Sequence, residues 1–156
     1  QAKSKTNASD AETAAEAQGI VERCAAYGDK VMKEAEELAE SDPYECCALL
    51  EKIKKDFAGT DQGAAADKKL AERKRDKAFM AQYDAGKIFA EIMKAGAELK
   101  GVGTKPVDLS DKTCLKANRP AATKIAAGIA ALKKKHADTK YCAEALQYAK
   151  TIGLQV

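Results

Sequence analysis

The chain has 156 residues, enough for one domain with a substantial core and too few for two ordinary domains. Alanine is its commonest residue, aromatic residues make up 5%, and tryptophan is absent, a composition typical of close-packed helices. Its 27 basic and 24 acidic residues alternate through most segments, and no apolar run approaches the roughly 20 residues of a membrane span. We therefore predict an all-α chain with no transmembrane segment and no nucleic-acid partner.

A long first helix is predicted after a flexible tail over residues 1–9. Residues 9–12 read Ser-Asp-Ala-Glu, a capping box in which a hydroxyl and a glutamate satisfy the first amides of a helix. Apolar residues then recur every three or four positions, so we expect one buried face on a helix that ends near residue 40. This face comprises Ile20, Cys24, Tyr27, Val31, Ala35 and Leu38.

A tight turn separates the first helix from a second. Asp42 has the side chain of an N-cap, Pro43 suits the first helical position, and Glu45 follows three residues after the cap. The second helix should end near Gly59, after which Thr60 caps a third. Its expected inner face comprises Cys46, Leu49, Leu50, Ile53 and Phe57.

The segment from residue 61 to residue 100 contains no proline and favours either one long helix or two helices joined near residues 75–76. Its apolar positions keep helical spacing. They are Leu70, Phe79, Tyr83, Phe89, Ile92, Met93 and Leu99. A loop is predicted over residues 101–117; it is glycine-rich but lacks the phosphate-binding pattern of glycines before Lys-Ser or Lys-Thr.

Two further helices complete the chain. One should begin near residues 118–120 and bury Ile125, Ile129 and Leu132. The other should begin after Thr139, which we predict to be its N-cap, and end before Gly153. Its expected buried positions are Cys142, Ala145, Leu146, Ala149 and Ile152.

Residues 53–71 and 132–150 repeat one another without a gap, 79 positions apart. Ile53 and Leu132 match in character. Six pairs are identical: Lys54 and Lys133, Lys55 and Lys134, Ala58 and Ala137, Thr60 and Thr139, Ala64 and Ala143, Ala66 and Ala145. Each segment has the pattern of a helix end, a short turn and a new helix, so we predict two equivalent helical hairpins that stack.

The expected organisation is a single helical domain over residues 10–156, with repeat-like halves at about 10–73 and 77–153. Alanines allow helices to approach closely, so we expect Ala64 and Ala143 at helix crossings. Each hairpin has an apolar face that only a neighbouring hairpin can cover.

This pattern resembles tetratricopeptide-like repeats, especially those of bacterial envelope proteins. The resemblance rests on Leu50, Ile53, Lys55, Phe57, Thr60 and Ala64, and again on Ile129, Leu132, Lys134, His136, Thr139 and Ala143. It implies stacked helical hairpins that bind proteins. The spacing of 79 residues departs from the regular period of 34, and so do the long helices and the loop.

Five cysteines are candidates for disulfides or free thiols: Cys24, Cys46, Cys47, Cys114 and Cys142. Their spacing matches no common zinc or haem motif, and an odd number leaves at least one without a partner inside the chain. The alternative is that several are small buried hydrophobic residues. The first residue, Gln1, is not methionine, which indicates either a processed N-terminus or an artificial start of the sequence. With the cysteines, we expect an exported chain, periplasmic or secreted.

The leading functional hypothesis is a non-enzymatic helical-repeat scaffold that binds a protein partner or assembles with copies of itself. No cofactor is expected. Catalysis is not favoured because the lone histidine, His136, occupies the repeat position of Phe57 and so has a structural explanation. The alternative is a helical bundle that carries a small ligand or a soft metal such as Cu(I). Its candidate ligands are Cys46, Cys47, Met93 and Tyr83.

Overall fold

A computed structural model describes residues 11–156, and this range contains helices and turns but no strand. The all-α prediction is therefore confirmed. The tail over residues 1–9 and the side chains of the capping box at residues 9–12 lie outside the described residues. In chain order the helices are α1 Ala11–Ser41, α2 Pro43–Asp56, α3 Asp61–Arg73, α4 Lys77–Ala97, α5 Lys112–Ala117, α6 Arg119–Lys135 and α7 Lys140–Thr151.

The helices form two compact units that divide between Asp76 and Lys77. The first unit contains α1, α2 and α3, and the second contains α4 to α7. In each unit a longer helix packs against both helices of a hairpin, α2–α3 in the first and α6–α7 in the second. The stretch from residue 61 to residue 100 thus contains two helices, the second of the two alternatives. The single-domain prediction stays a prediction.

The buried face of α1 differs from the predicted one over the first half of the helix. Val31 and Ala35 are buried as expected, but Ile20, Cys24 and Tyr27 are exposed. The buried positions are small residues such as Gly28, where an added Cβ would lie only 3.0 Å from Gln62 Cγ and 3.3 Å from the Phe57 ring. Because α1 runs so close to the α2–α3 turn, the small residues face inward and the larger apolar residues are left outside.

Close approach also shapes the second unit. A Cβ on Gly128 of α6 would lie 2.6 Å from Ile92 Cγ1 on α4, and a Cβ on Gly96 of α4 would collide with the Tyr148 ring on α7. Glycine at two different contacts therefore lets α4 pack tightly against both helices of its hairpin. Ile125, Ile129 and Leu132 are buried as predicted. Met93, predicted on the inner face of α4, is 41% exposed.

The segment predicted as a loop over residues 101–117 ends in a helix, α5. Asp111 caps α5, and its carboxylate accepts hydrogen bonds from the Thr113 and Cys114 amides at 2.9 Å. The buried Asn118 side chain closes the segment, because it accepts from the Lys100 amide and donates to the Lys100 carbonyl, both at 2.8 Å. The predicted helix start near Asn118 is confirmed, whereas the bridge to Lys100 has no local signal in the sequence.

The two repeated turns share one hydrogen-bond pattern. Thr60 Oγ1 accepts from the Gly63 amide at 3.3 Å and donates to the Phe57 carbonyl at 2.8 Å. Thr139 Oγ1 accepts from the Cys142 amide at 3.3 Å and donates to the His136 carbonyl at 2.7 Å. The threonine is the N-cap of the second helix of the hairpin in both units. Asp42 caps α2 in the same way, accepting from the Glu45 amide at 3.0 Å, with Pro43 at the first helical position.

The turns differ in their glycines. Gly59 has φ of +79°, a conformation that favours glycine, and a Cβ on Gly63 would collide with the Phe57 carbonyl. The equivalent residues of the second turn are Asp138 and Cys142, neither of which has positive φ. The two turns therefore share the threonine cap, but the first requires glycine at two positions where the second does not.

Replacing Thr60 or Thr139 with alanine is expected to lower the free energy of unfolding by about 1 kcal/mol, because each loses an N-cap hydrogen bond. Urea unfolding followed by circular dichroism measures this loss. Thr123→Ala is the matched control, since its exposed hydroxyl donates only to the Arg119 carbonyl within α6. Losses equal to that of the control would contradict the capping role.

The alanines at the hairpin crossings are not the predicted ones. Ala64 and Ala143 are exposed, whereas Ala66 and Ala145 are fully buried. Ala64 and Ala143 lie four residues after the N-caps Thr60 and Thr139 and are on the solvent side of their helices. Ala66 and Ala145 lie two residues further on, rotated by about 200° around the helix axis to the buried side. The two repeated alanine pairs thus differ in environment: Ala64 and Ala143 face solvent, whereas Ala66 and Ala145 are buried.

Candidate functional site: a groove beside the first repeated turn

A groove of about 720 Å³ lies between α1 and the turn that joins α2 to α3. One wall is the outward face of α1, with Val21, Cys24 and Tyr27, and the other is the turn over residues 56–62. The Tyr27 and Phe57 rings stack across it with their centroids 6.4 Å apart. Because Tyr27 is 52% exposed, the groove presents an aromatic surface to solvent.

The polar part of this groove is acidic. Asp56 and Asp61 line it, and no lining residue is basic among those that the structure describes. Gln62, also a lining residue, makes a long contact of 3.4 Å from its Nε2 to Asp29 Oδ1 on α1. A lining that combines apolar side chains with two carboxylates suits a ligand that combines apolar and cationic groups.

The second repeated turn has a buried aromatic side chain at the position where the first turn has Gln62. Tyr141 stands where the first turn has Gln62. Its ring is buried and packs against Phe89 of α4 with the centroids 5.9 Å apart. The substitution of glutamine for tyrosine in the aligned repeats is the sequence signal that could have indicated the groove, and sequence reasoning did not use it.

The two units carry opposite charge. Residues 1–76 include 17 acidic and 13 basic side chains, whereas residues 77–156 include 7 acidic and 14 basic ones. Over the whole chain the numbers of acidic and basic side chains are nearly equal. The excess of each charge becomes visible only when the chain is divided between Asp76 and Lys77. The prediction that acidic and basic residues are evenly mixed along the chain is therefore wrong at the level of the two units.

A basic surface of the second unit surrounds an exposed leucine. Leu115 on α5 is 38% exposed, and Lys112, Lys116 and Arg119 lie around it. We call these four residues the α5 patch. Asp111 is adjacent in sequence, but its carboxylate is engaged as the cap of α5.

All five cysteines are free thiols. Of the two possibilities predicted for them, free thiols are therefore found within this chain and disulfides are not. Cys46 and Cys47 are successive residues of α2, where side chains diverge by about 100°. They are buried, as are Cys114 and Cys142 in the second unit. Cys24 is exposed and lines the groove.

A smaller cavity of about 290 Å³ adjoins the buried Cys46 thiol. Charged residues line it, including Glu36 and Lys69, which form an ion pair between α1 and α3. Burial raises the pKa of the Cys46 thiol and raises that of Cys47 to about 11, so both are protonated at neutral pH. A protonated thiol is a poor nucleophile, and this environment is typical of a structural cysteine.

The ligands proposed for a soft-metal carrier belong to different units. Cys46 and Cys47 lie in the first unit, and Tyr83 and Met93 lie in the second. Among the residues that the structure describes, no three His, Cys, Asp or Glu side chains are grouped as a metal site would require. His136 ends α6 at the position equivalent to Phe57, with its amide donating to the Leu132 carbonyl at 2.8 Å.

No helix within residues 11–156 is both long enough and apolar enough to cross a membrane. Comparison with known proteins found no matching family model, no matching curated protein and no matching solved structure.

Proposed function

We propose that the chain is a non-enzymatic helical-repeat scaffold whose groove binds a basic, partly apolar segment of a protein. The observation that carries this proposal is the exposed Tyr27 ring stacked on Phe57 in a groove that Asp56 and Asp61 also line. Aromatic side chains in such a setting are typical anchors of protein interfaces, where they bury a large area at low cost in conformational entropy.

The surrounding architecture supports the same conclusion. The hairpin α2–α3 is closed by the Thr60 cap and supported by the buried Ile53 and Ala66, so the groove lies on a rigid element. A binding surface built on packed helices loses little freedom when a partner docks. The resemblance to tetratricopeptide-like repeats points to the same class of function.

Photo-crosslinking from Cys24 tests this function. A maleimide carrying a benzophenone should label Cys24 alone, because the other four thiols are buried. After irradiation in an extract of the source cells, we expect adducts whose partner peptide, identified by mass spectrometry, is basic and partly apolar. Cys24→Ser is the control for labelling and should give no adduct.

Charge variants show whether such adducts depend on the groove. Asp56→Lys should reduce adduct formation by about tenfold, because it reverses a charge at the edge of the binding surface. Glu34→Lys, an equal change at an exposed position of α1 outside the lining, should leave it unchanged. Adducts that respond equally to both variants, or the lack of any reproducible adduct, would refute the proposed function.

A further inference from the structure

We infer that the occupant of the groove is the α5 patch of a second copy of this chain, so that copies associate in a head-to-tail manner. This inference rests on the proposed function, because it names the partner of the same groove. It rests on two complementary surfaces, one in each unit. Both contain exposed apolar side chains, but the groove is lined by acidic residues and the α5 patch by basic ones.

The α5 patch has the chemistry that the groove requires. Leu115 supplies an exposed apolar side chain, and Lys112, Lys116 and Arg119 supply cations around it. In a contact between copies, the leucine meets the rings of Tyr27 and Phe57, and the cations face Asp56 and Asp61. Each surface thereby covers apolar area that the isolated chain leaves in water.

The charge of the whole units acts in the same direction. Residues 1–76 carry an excess of acidic side chains and residues 77–156 an excess of basic ones. Charges of opposite sign steer two copies together with the first unit of one facing the second unit of the other, and like charges oppose the contact of two identical units.

Such a contact uses different surfaces on the two copies. A pair of copies joined in this way still has one groove free on one copy and one patch free on the other, so further copies add until a ring closes or an open chain forms. The inference therefore predicts association beyond a dimer, which a symmetric contact of one surface with itself would not produce.

Sedimentation velocity of the purified full chain, over a range of concentrations, is the first test. We expect oligomers at about 0.01 M salt and mainly monomers at about 1 M, since the Debye length falls from about 30 to about 3 Å. Monomers at every concentration in low salt, or oligomers that salt does not dissociate, would overturn the inference.

Charge-reversal variants test the pairing itself. The patch variant is Lys112→Glu with Lys116→Glu, and the groove variant is Asp56→Lys with Asp61→Lys. Each alone should be monomeric, because one surface of every copy has the wrong sign. A mixture of the two should associate again, because the reversed patch of one variant is complementary to the reversed groove of the other.

Matched controls keep this test independent of net charge and of folding. Glu34→Lys with Glu40→Lys changes the charge of the first unit by the same amount at exposed positions outside the groove and should still assemble. Circular dichroism should show native helicity in every variant. Variants that assemble as the unmodified chain does, or a mixture that stays monomeric, would overturn the inference.

The two proposals can fail separately. If the purified chain is monomeric while Cys24 crosslinks in a groove-dependent way to a basic segment of another protein, the proposed function stands and the inference is overturned. If Cys24 gives no groove-dependent adduct in the extract and none in the concentrated purified chain at low salt, both are refuted.

Discussion

Replacing Ile53 or Leu132 with alanine is expected to lower the free energy of unfolding by about 2–5 kcal/mol. The two residues occupy equivalent positions of the repeated hairpins, and their side chains are 1% and 0% exposed. Truncation removes buried methyl groups and leaves a cavity that the surrounding helices can only partly fill. Urea denaturation of the full chain, followed by circular dichroism, measures the loss.

Ile20→Ala is the control for this pair, because it truncates a large aliphatic side chain that is 45% exposed on α1 and lies outside both surfaces of the proposed contact. We expect it to change the free energy of unfolding by no more than about 0.5 kcal/mol. A loss below about 1 kcal/mol at either Ile53 or Leu132 would show that this position is not in a packed core and would contradict the equivalence of the two hairpins.

Enlarging Ala66 or Ala145 to leucine is expected to destabilise the chain by about 1–3 kcal/mol through overpacking. Neither residue has any exposed area, and each lies two positions after an alanine that is exposed in the same helix. A leucine at the buried position must displace the facing helix or adopt a strained rotamer. Thermal and urea unfolding of the four single variants provide the comparison.

The exposed alanines supply the matched controls, since Ala64→Leu and Ala143→Leu add the same three carbons to the same helices. These two variants should stay within about 0.5 kcal/mol of the unmodified chain. If the exposed variants were the destabilised ones, the register of α3 and α7 against their partner helices would be wrong.

The groove gives the exposed aromatic residue of α1 a physical explanation. Tyr27 had helical spacing with Val31, which predicted a buried position, yet its ring is 52% exposed and stacks on Phe57. Spacing along a helix specifies which residues share a face, but it does not specify how wide the buried part of that face is. At the α2–α3 turn α1 approaches closely at Gly28, where an added Cβ would lie 3.0 Å from Gln62 Cγ.

Local signals in the chain were sufficient for the helical class, for the capping residues and for the existence of a repeated hairpin. These features depend on residues within one or two turns of one another: a threonine before a helix, a proline at its first position, and apolar residues at intervals of three and four. The geometry at Thr60 and Thr139 follows from such short-range hydrogen bonds, which the same local sequence produces twice.

Contacts between distant residues decided the rest. The outward position of Tyr27, the burial of Ala66 in place of Ala64, and the Asn118 bridge to Lys100 each depend on how closely one helix or segment approaches another. The charge asymmetry required the boundary after Asp76, which separates an acidic unit from a basic one. Packing distance is a property of whole helices in three dimensions, and so no spacing within a single helix could specify it.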